Sequence, residues 1–103
     1  MIESYIEGRV RLRSPIFAET DIAESLKALL VSVAGVLRVD FNPRTQGMLL
    51  EYDPARVPQT MILKAAPLLE RMDRLNALAH AERRSGAEGL LRELKELLGG
   101  HPG

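Results

Sequence analysis

The 103 residues make a one-domain length, and 46% hydrophobic with 27% charged content suits a packed core rather than a disordered chain. Basic and acidic side chains number 14 each, so no net charge draws the chain toward nucleic acid or an anionic membrane. Cysteine is absent, which excludes disulfides, thiolate metal sites and thiol catalysis, and 4% aromatic content without Trp disfavours base-stacking platforms.

Residues 4–13 read as the first strand, with Ile6, Gly8, Val10 and Leu12 on one face and Tyr5, Glu7, Arg9, Arg11 and Arg13 on the other. Pro15 ends it. Asp21 is placed to cap a helix, with Glu24 three residues on to complete a capping box. Ile22, Leu26, Leu29, Leu30 and Val33 then recur at helical spacing, and Gly35 stands where the helix stops.

Residues 35–54 form the hairpin around which the rest is arranged. Val36, Val39 and Phe41 face a core while Arg38 and Asp40 face water; Met48, Leu50 and Tyr52 alternate with Leu49 and Glu51. The connection 42–47 uses Asn-Pro and a glycine, which turn chemistry favours. A second helix opens near Pro58, with Ile62, Ala65, Ala66 and Leu69 as its apolar face and a kink or break expected at Pro67. Residues 68–81 read as further helix.

Residues 83–86 read as a polar joint. Ser85 and Glu88 make a second capping box, opening a helix with Leu90, Leu91, Leu94, Leu97 and Leu98 as a continuous stripe. Gly99 and Gly100 end it, and His101-Pro102-Gly103 are expected to be mobile. The stripe must be buried, either on its own sheet or against a second copy or a partner protein. The expected division is a domain at 1–82 and a C-terminal helix with its tail at 83–103.

This order predicts an α+β chain, one antiparallel sheet with helices on one face. A ferredoxin-like βαββαβ unit needs a fourth strand after the second helix; either a short strand lies within 75–78, or that strand is absent, the reading favoured by the helical pattern of 71–81. The expected fold is therefore βαββα with an added amphipathic helix, and the first strand keeps an unpaired edge.

At Gly8-Arg-Val-Arg-Leu-Arg, and from Val36 through Asn42-Pro43-x-Thr45-x-Gly47 to Glu51-Tyr52-Asp53-Pro54, the chain resembles heavy-metal-associated domains, specifically their cysteine-less branch. The resemblance spans 4–66. It implies a ferredoxin-like fold and a link to metal-transport ATPases or their chaperones. Such domains hold soft metals through Cys-x-x-Cys in the loop after the first strand. The matching loop here is Ser14-Pro15-Ile16-Phe17-Ala18, without thiolate or imidazole, so the family's metal role does not carry over.

Arg9, Arg11 and Arg13, with Arg38 beside them, project from one sheet face. They form either an anion site for a ligand or acidic partner, or an ordinary charged surface offset by Asp40 and Glu51. His80 and His101 lack a second ligand at helical spacing, and Met48, Met61 and Met72 read as core filler. Asp53 before Pro54 reads as turn chemistry, and no catalytic constellation or phosphate-binding glycine loop stands out. No apolar run approaches the ~20 residues of a membrane span, and Glu3 and Glu7 do not suit a signal peptide. The function expected is a non-enzymatic, cytoplasmic interaction module without cofactor, metal or nucleic acid. It would self-associate or dock through its last helix, to a metal transporter, another membrane protein or a compartment shell. The alternative is a carrier of haem or another flat anionic cofactor.

Overall fold

The computed structural model of the protein describes residues 1–99. Four strands, β1 (Ile2–Ile6), β2 (Arg9–Arg13), β3 (Val36–Asn42) and β4 (Gly47–Tyr52), form one antiparallel sheet in the order β1-β2-β4-β3. Three helices, α1 (Thr20–Val31), α2 (Gln59–Arg74) and α3 (His80–Gly99), complete a ferredoxin-like α+β sandwich. Single 3₁₀ turns, Pro15–Ala18 and Leu75–Ala77, lead into α1 and out of α2. What was expected of Gly100 and of His101-Pro102-Gly103 lies outside the described residues.

The single strand expected over 4–13 is instead a hairpin. Ile6 pairs with Arg9 across a two-residue loop, and Gly8 takes φ +89, which a side chain there would resist. The reversal carries Ile6 to the same face as Arg9, so it is 65% exposed rather than buried with Val10. β1 therefore pairs the edge of β2 that the sequence had left open. It stands where the fourth strand of a βαββαβ unit would lie, which frees the chain after α2 to remain helical.

The hairpin of β3 and β4 forms as expected. Val39 pairs with Leu50, and Phe41 with Met48, on the inner face. A register shift between Val36 and Arg38 leaves Leu37 as an extra residue, which explains why Val36 and Val39, three apart, both face inward. Asn42 Oδ1 accepts from the Arg44 N–H at 3.0 Å, and Asp53 Oδ1 from Ala55 N–H at 2.9 Å, so both are turn residues.

Several helix limits differ from those expected. Helix α1 begins one residue before Asp21 and has no side-chain cap from Glu19, so the capping box does not form. It ends at Val31, and Gly35, with φ +95, lies in the turn leading to β3. Helix α2 runs through Pro67 without a break. The carbonyl left without a donor is that of Leu63, a residue 58% exposed, where water can serve it. The joint expected over 83–86 lies instead at the Leu75–Ala77 turn, and α3 already runs from His80. Gly86 is helical: a β-carbon there would stand 2.7 Å from Leu75 Cδ2, so glycine lets the turn and the helix close together.

All three helices cover one face of the sheet. The core joins Val10, Leu12, Val39 and Met48 of the strands to Ile22, Leu26 and Leu30 of α1 and to Leu69 and Met72 of α2. Helix α3 packs on α2 and, less extensively, on α1. Its Leu90 and Leu94 are 4% and 1% exposed, while Leu91, Leu97 and Leu98 lie half-buried against the same core. Replacing Leu94 by alanine is expected to cost about 2–5 kcal/mol out of a total of about 5–15. A urea midpoint equal to that of the unaltered protein would show that α3 contributes nothing to the core.

Candidate functional site

Among the described residues, the outer face of the sheet carries no helix, and strand register decides what meets there. In one row Arg9 lies opposite Glu51, and Glu51 opposite Arg38. In the next, Ser4, Arg11, Leu49 and Asp40 follow one another across all four strands. In the third, Arg13 lies opposite Gly47, and Gly47 opposite Asn42. All four arginines are exposed, so the structure does bring the predicted residues to one surface.

Their electrostatic situations differ. Arg13 Nε stands 3.3 Å from Glu3 Oε2, and Arg38 Nε pairs with Asp40 two residues along its own strand. Arg9 has Glu51 across from it. Arg11 has Ser4 on one side and Leu49 on the other, neither charged. Among the described residues, the ion pairs of this face engage Arg13 and Arg38 and leave Arg9 and Arg11 out. A shallow depression of about 250 Å³ lies beside Arg11 and Arg13, floored by Leu49 and Gly47 and rimmed by Asp40 and Thr45.

The loop after β2 is a closed part of the core. Ser14, Ile16 and Phe17 are each 0% exposed, and the Phe17 ring meets Phe41 edge-on with centroids 5.9 Å apart. Ser14 Oγ accepts from the Ile16 N–H at 3.2 Å, capping the 3₁₀ turn, and donates to Asp73 on α2. The Met1 ammonium, 3.7 Å from Asp73 and 3.6 Å from Glu70, joins the same cluster. Ser14 is the buried polar side chain here, and its hydroxyl is satisfied in both directions.

A larger cleft of about 560 Å³ opens at the other end of the sheet, lined by Tyr5, Ile6, Glu7, Tyr52, Pro54 and Val57 among others. A hydrogen bond with Tyr52 holds the Tyr5 phenol above its ordinary pKa, with a smaller contribution from burial. Sequence reading missed this cleft because it treated Tyr5 as an outer-face residue. Tyr5 in fact pairs with Val10, on the inner side, at the rim of the sheet. The glycine at position 8, behind an acidic residue and between two alternating runs, is the signal that could have revealed it.

Charges also join α1 to α3. Glu19, at the start of α1, has His80 Nδ1 at 3.1 Å from one carboxylate oxygen and Arg83 Nε at 3.6 Å from the other, and Arg84 pairs with Asp21. Two arginines in the first turns of a helix oppose its dipole, and the acids of α1 offset them. His80, 64% exposed in its side chain, is thus held by a carboxylate. Met48 and Met72 are core residues, at 1% and 0% exposure. Among the described residues, no three of His, Asp and Glu stand together as a metal cluster, and no helix is long and apolar enough to cross a membrane.

A family model described as heavy metal associated domain 2 matches residues 1–99. The chain belongs to that family. Among curated proteins and among solved structures, nothing matches it. The family's name implies a heavy metal, and in this heavy metal associated domain the loop after β2 does not fit one. Its polar groups are the Ser14 hydroxyl and the Asp73 carboxylate, hard oxygen donors already bonded to each other, and Ile16 and Phe17 fill the space beside them.

Two outcomes are expected. The purified protein should fail to take Cu(I) or Zn(II) from a chelator of micromolar strength; a one-to-one complex that survives competition would contradict the account of this loop. The hydrogen bond from Arg84 holds the Asp21 carboxyl below the usual carboxylate range. A folded-state value lower than the unfolded one contributes stability above the unfolded pKa, and this is lost as pH falls through the folded value. In an NMR titration, Asp21 should protonate below an ordinary aspartate, and Arg84→Gln should return it to that range. Equal midpoints in the two proteins would remove the Asp21–Arg84 tie between α1 and α3.

Proposed function

We propose that this heavy metal associated domain is a non-catalytic docking module whose bare sheet face binds an acidic protein surface. The observation that carries the reading is Arg11, at the middle of an uncovered sheet with Ser4 and Leu49 as its cross-strand neighbours. A guanidinium without an acid in register is free to form paired hydrogen bonds with an incoming carboxylate. Arg9 adds a second cation one row away, sharing Glu51 with Arg38. Leu49 and the exposed Ile6 give the same face apolar area for a partner to cover.

The family supports a setting in metal handling. A metal transporter or the shell of a compartment is the kind of protein that would present the acidic segment, on the cytoplasmic side. The last helix offers less for such docking, since Leu90 and Leu94 are already committed to the domain's own core. A haem carrier would need its carboxylate-binding and iron-ligating groups on one cavity. Here Arg11 and Arg13 border a depression of about 250 Å³, while the two phenols line a separate cleft. Pockets that enclose a drug-sized ligand run from about 300 Å³ upward.

A poly-glutamate peptide is the probe. Its addition should shift backbone NMR signals of Arg9, Arg11, Leu49 and Glu51 and leave those of α2 in place. Arg11→Gln should weaken binding about tenfold, the equivalent of one charge-assisted hydrogen bond at about 1.4 kcal/mol. Shifts that ignore this substitution would refute the docking face. Tight one-to-one uptake of haem, lost on replacing Arg11 and Arg13 by alanine, would establish the carrier instead.

A further inference from the structure

Strand β3 is an outer edge of the sheet: among the described residues it pairs with β4 on one side and with no strand on the other. An edge of this kind presents a row of unused backbone donors and acceptors to any strand that matches it. Beyond the irregularity at Leu37, it offers a regular run from Arg38 to Asn42, with Val39 and Phe41 inward and Arg38 and Asp40 outward. No proline interrupts it. The opposite edge, β1, is less suited, because its register shift between Ile2 and Ser4 puts Ile2 and Ile6 on opposite faces.

We infer that β3 is a homodimer interface, at which two copies of the chain join antiparallel about a two-fold axis through Val39 to make one eight-stranded sheet. The argument is the chemistry of the strand read in both directions. Residues opposite one another in an antiparallel ladder share a face, so a two-fold axis must pass through a residue. Centred on Val39, the pairing sets Arg38 against the partner's Asp40 and Asp40 against the partner's Arg38. Two opposite-charge pairs then flank a Val–Val contact. Centred on Arg38 the axis opposes arginine to arginine, and centred on Asp40 it opposes aspartate to aspartate; like charges directly across a ladder destabilise it. Centred on Phe41, Asp40 meets Asn42 and the cation loses its acid. Charge alone thus selects one register of the strand against itself.

The monomer already contains one half of this exchange. Arg38 and Asp40 pair with each other along the strand, with side chains 65% and 50% exposed. Dimerisation would trade two such pairs within strands for two across strands, and would add backbone hydrogen bonds along the edge. Apolar surface accompanies the charges. Leu37 is 70% exposed and would come beside the partner's Phe41, while Val31, 54% exposed, ends the helix that packs over β3. A two-fold interface is self-complementary, so each of these features is used twice. The pairing leaves the row of Ser4, Arg11 and Leu49 uncovered, so it is independent of the docking face.

Sedimentation of the full chain, up to millimolar concentration, tests the inference. A concentration-dependent doubling of mass is expected. Arg38→Asp or Asp40→Arg alone should weaken the dimer about tenfold or more, because each sets like charges opposite one another. The double exchange, Arg38→Asp with Asp40→Arg, should restore it. Both positions are exposed, so circular dichroism should show every variant folded. The chain has no cysteine of its own, which makes a cross-link unambiguous. On oxidation, a mixture of Arg38→Cys and Asp40→Cys chains should form the mixed disulfide. Arg38→Cys alone should not, since at ~3.3 Å per residue and ~4.8 Å between strands the two copies stand roughly 8 Å apart, beyond disulfide reach. A monomer at every concentration, a dimer indifferent to both reversals, or cross-links between like cysteines would each overturn the inference.

Discussion

The backbone groups along the outer side of β2 need partners, and β1 supplies them by folding back through Glu7 and Gly8. The rest of the architecture depends on that pairing. In a βαββαβ unit the same edge is filled by a strand arriving after the second helix, which commits the end of the chain to the sheet. Here the N-terminal strand fills it from the other direction. The chain after Arg74 is released to form α3, and α3 then covers the helical layer with Ala87, Leu90 and Leu94. Gly8 and Gly86 mark the two ends of this arrangement, one permitting the reversal and the other permitting α3 to lie against Leu75.

The same economy of space accounts for the loop after β2. A loop that holds a soft metal must keep its ligands at the surface with their lone pairs unspent. In this chain Ser14 is bonded on both sides, and Ile16 and Phe17 are wholly enclosed, with Phe17 against Phe41 of the far strand. The position is thereby converted from a site into a joint: it links the end of β2, the 3₁₀ turn ahead of α1 and the last turn of α2 through one hydroxyl and one carboxylate. The family match extends over residues 1–99, while the chemistry in the family's name has no donor set at this place.

Much of the fold was legible from period and punctuation. The hairpin of β3 and β4, the faces of its residues, the apolar stripes of α1 and α2 and the helical run beyond Pro67 follow from spacing alone. The β1–β2 reversal did not, because alternation over residues 4–13 looks continuous when the turn spends two residues. A ten-residue strand beside partners of six and seven residues was the inconsistency that could have exposed it. Helix limits failed for a related reason. Capping signals at Asp21 and Ser85 are local, and the observed starts at Thr20 and His80 are set by contacts across the fold, Glu19 and Asp21 meeting His80, Arg83 and Arg84. The arginine face was legible as a face. Which arginine lacks an acid was not, since that depends on the register of three strands at once.

Register in turn separates two kinds of surface that the sequence presents as one basic cluster. Arg13 and Arg38 have acids within reach in their own chain, so a ligand must compete with Glu3 or Asp40 for them. Arg11 requires no such exchange, because Ser4 and Leu49 offer it nothing ionic. Side chains on a bare sheet face cost little to leave hydrated, so an unpaired guanidinium there is cheap to hold and immediately available. Arg38, on the edge strand, is instead confined to a plane where Asp40 is its neighbour and another strand can be its next one. One strand in from the edge, a cation meets whatever lands on the face; on the edge it meets whatever continues the sheet. The position of each arginine in the strand order, rather than its side chain, decides which kind of partner it can select.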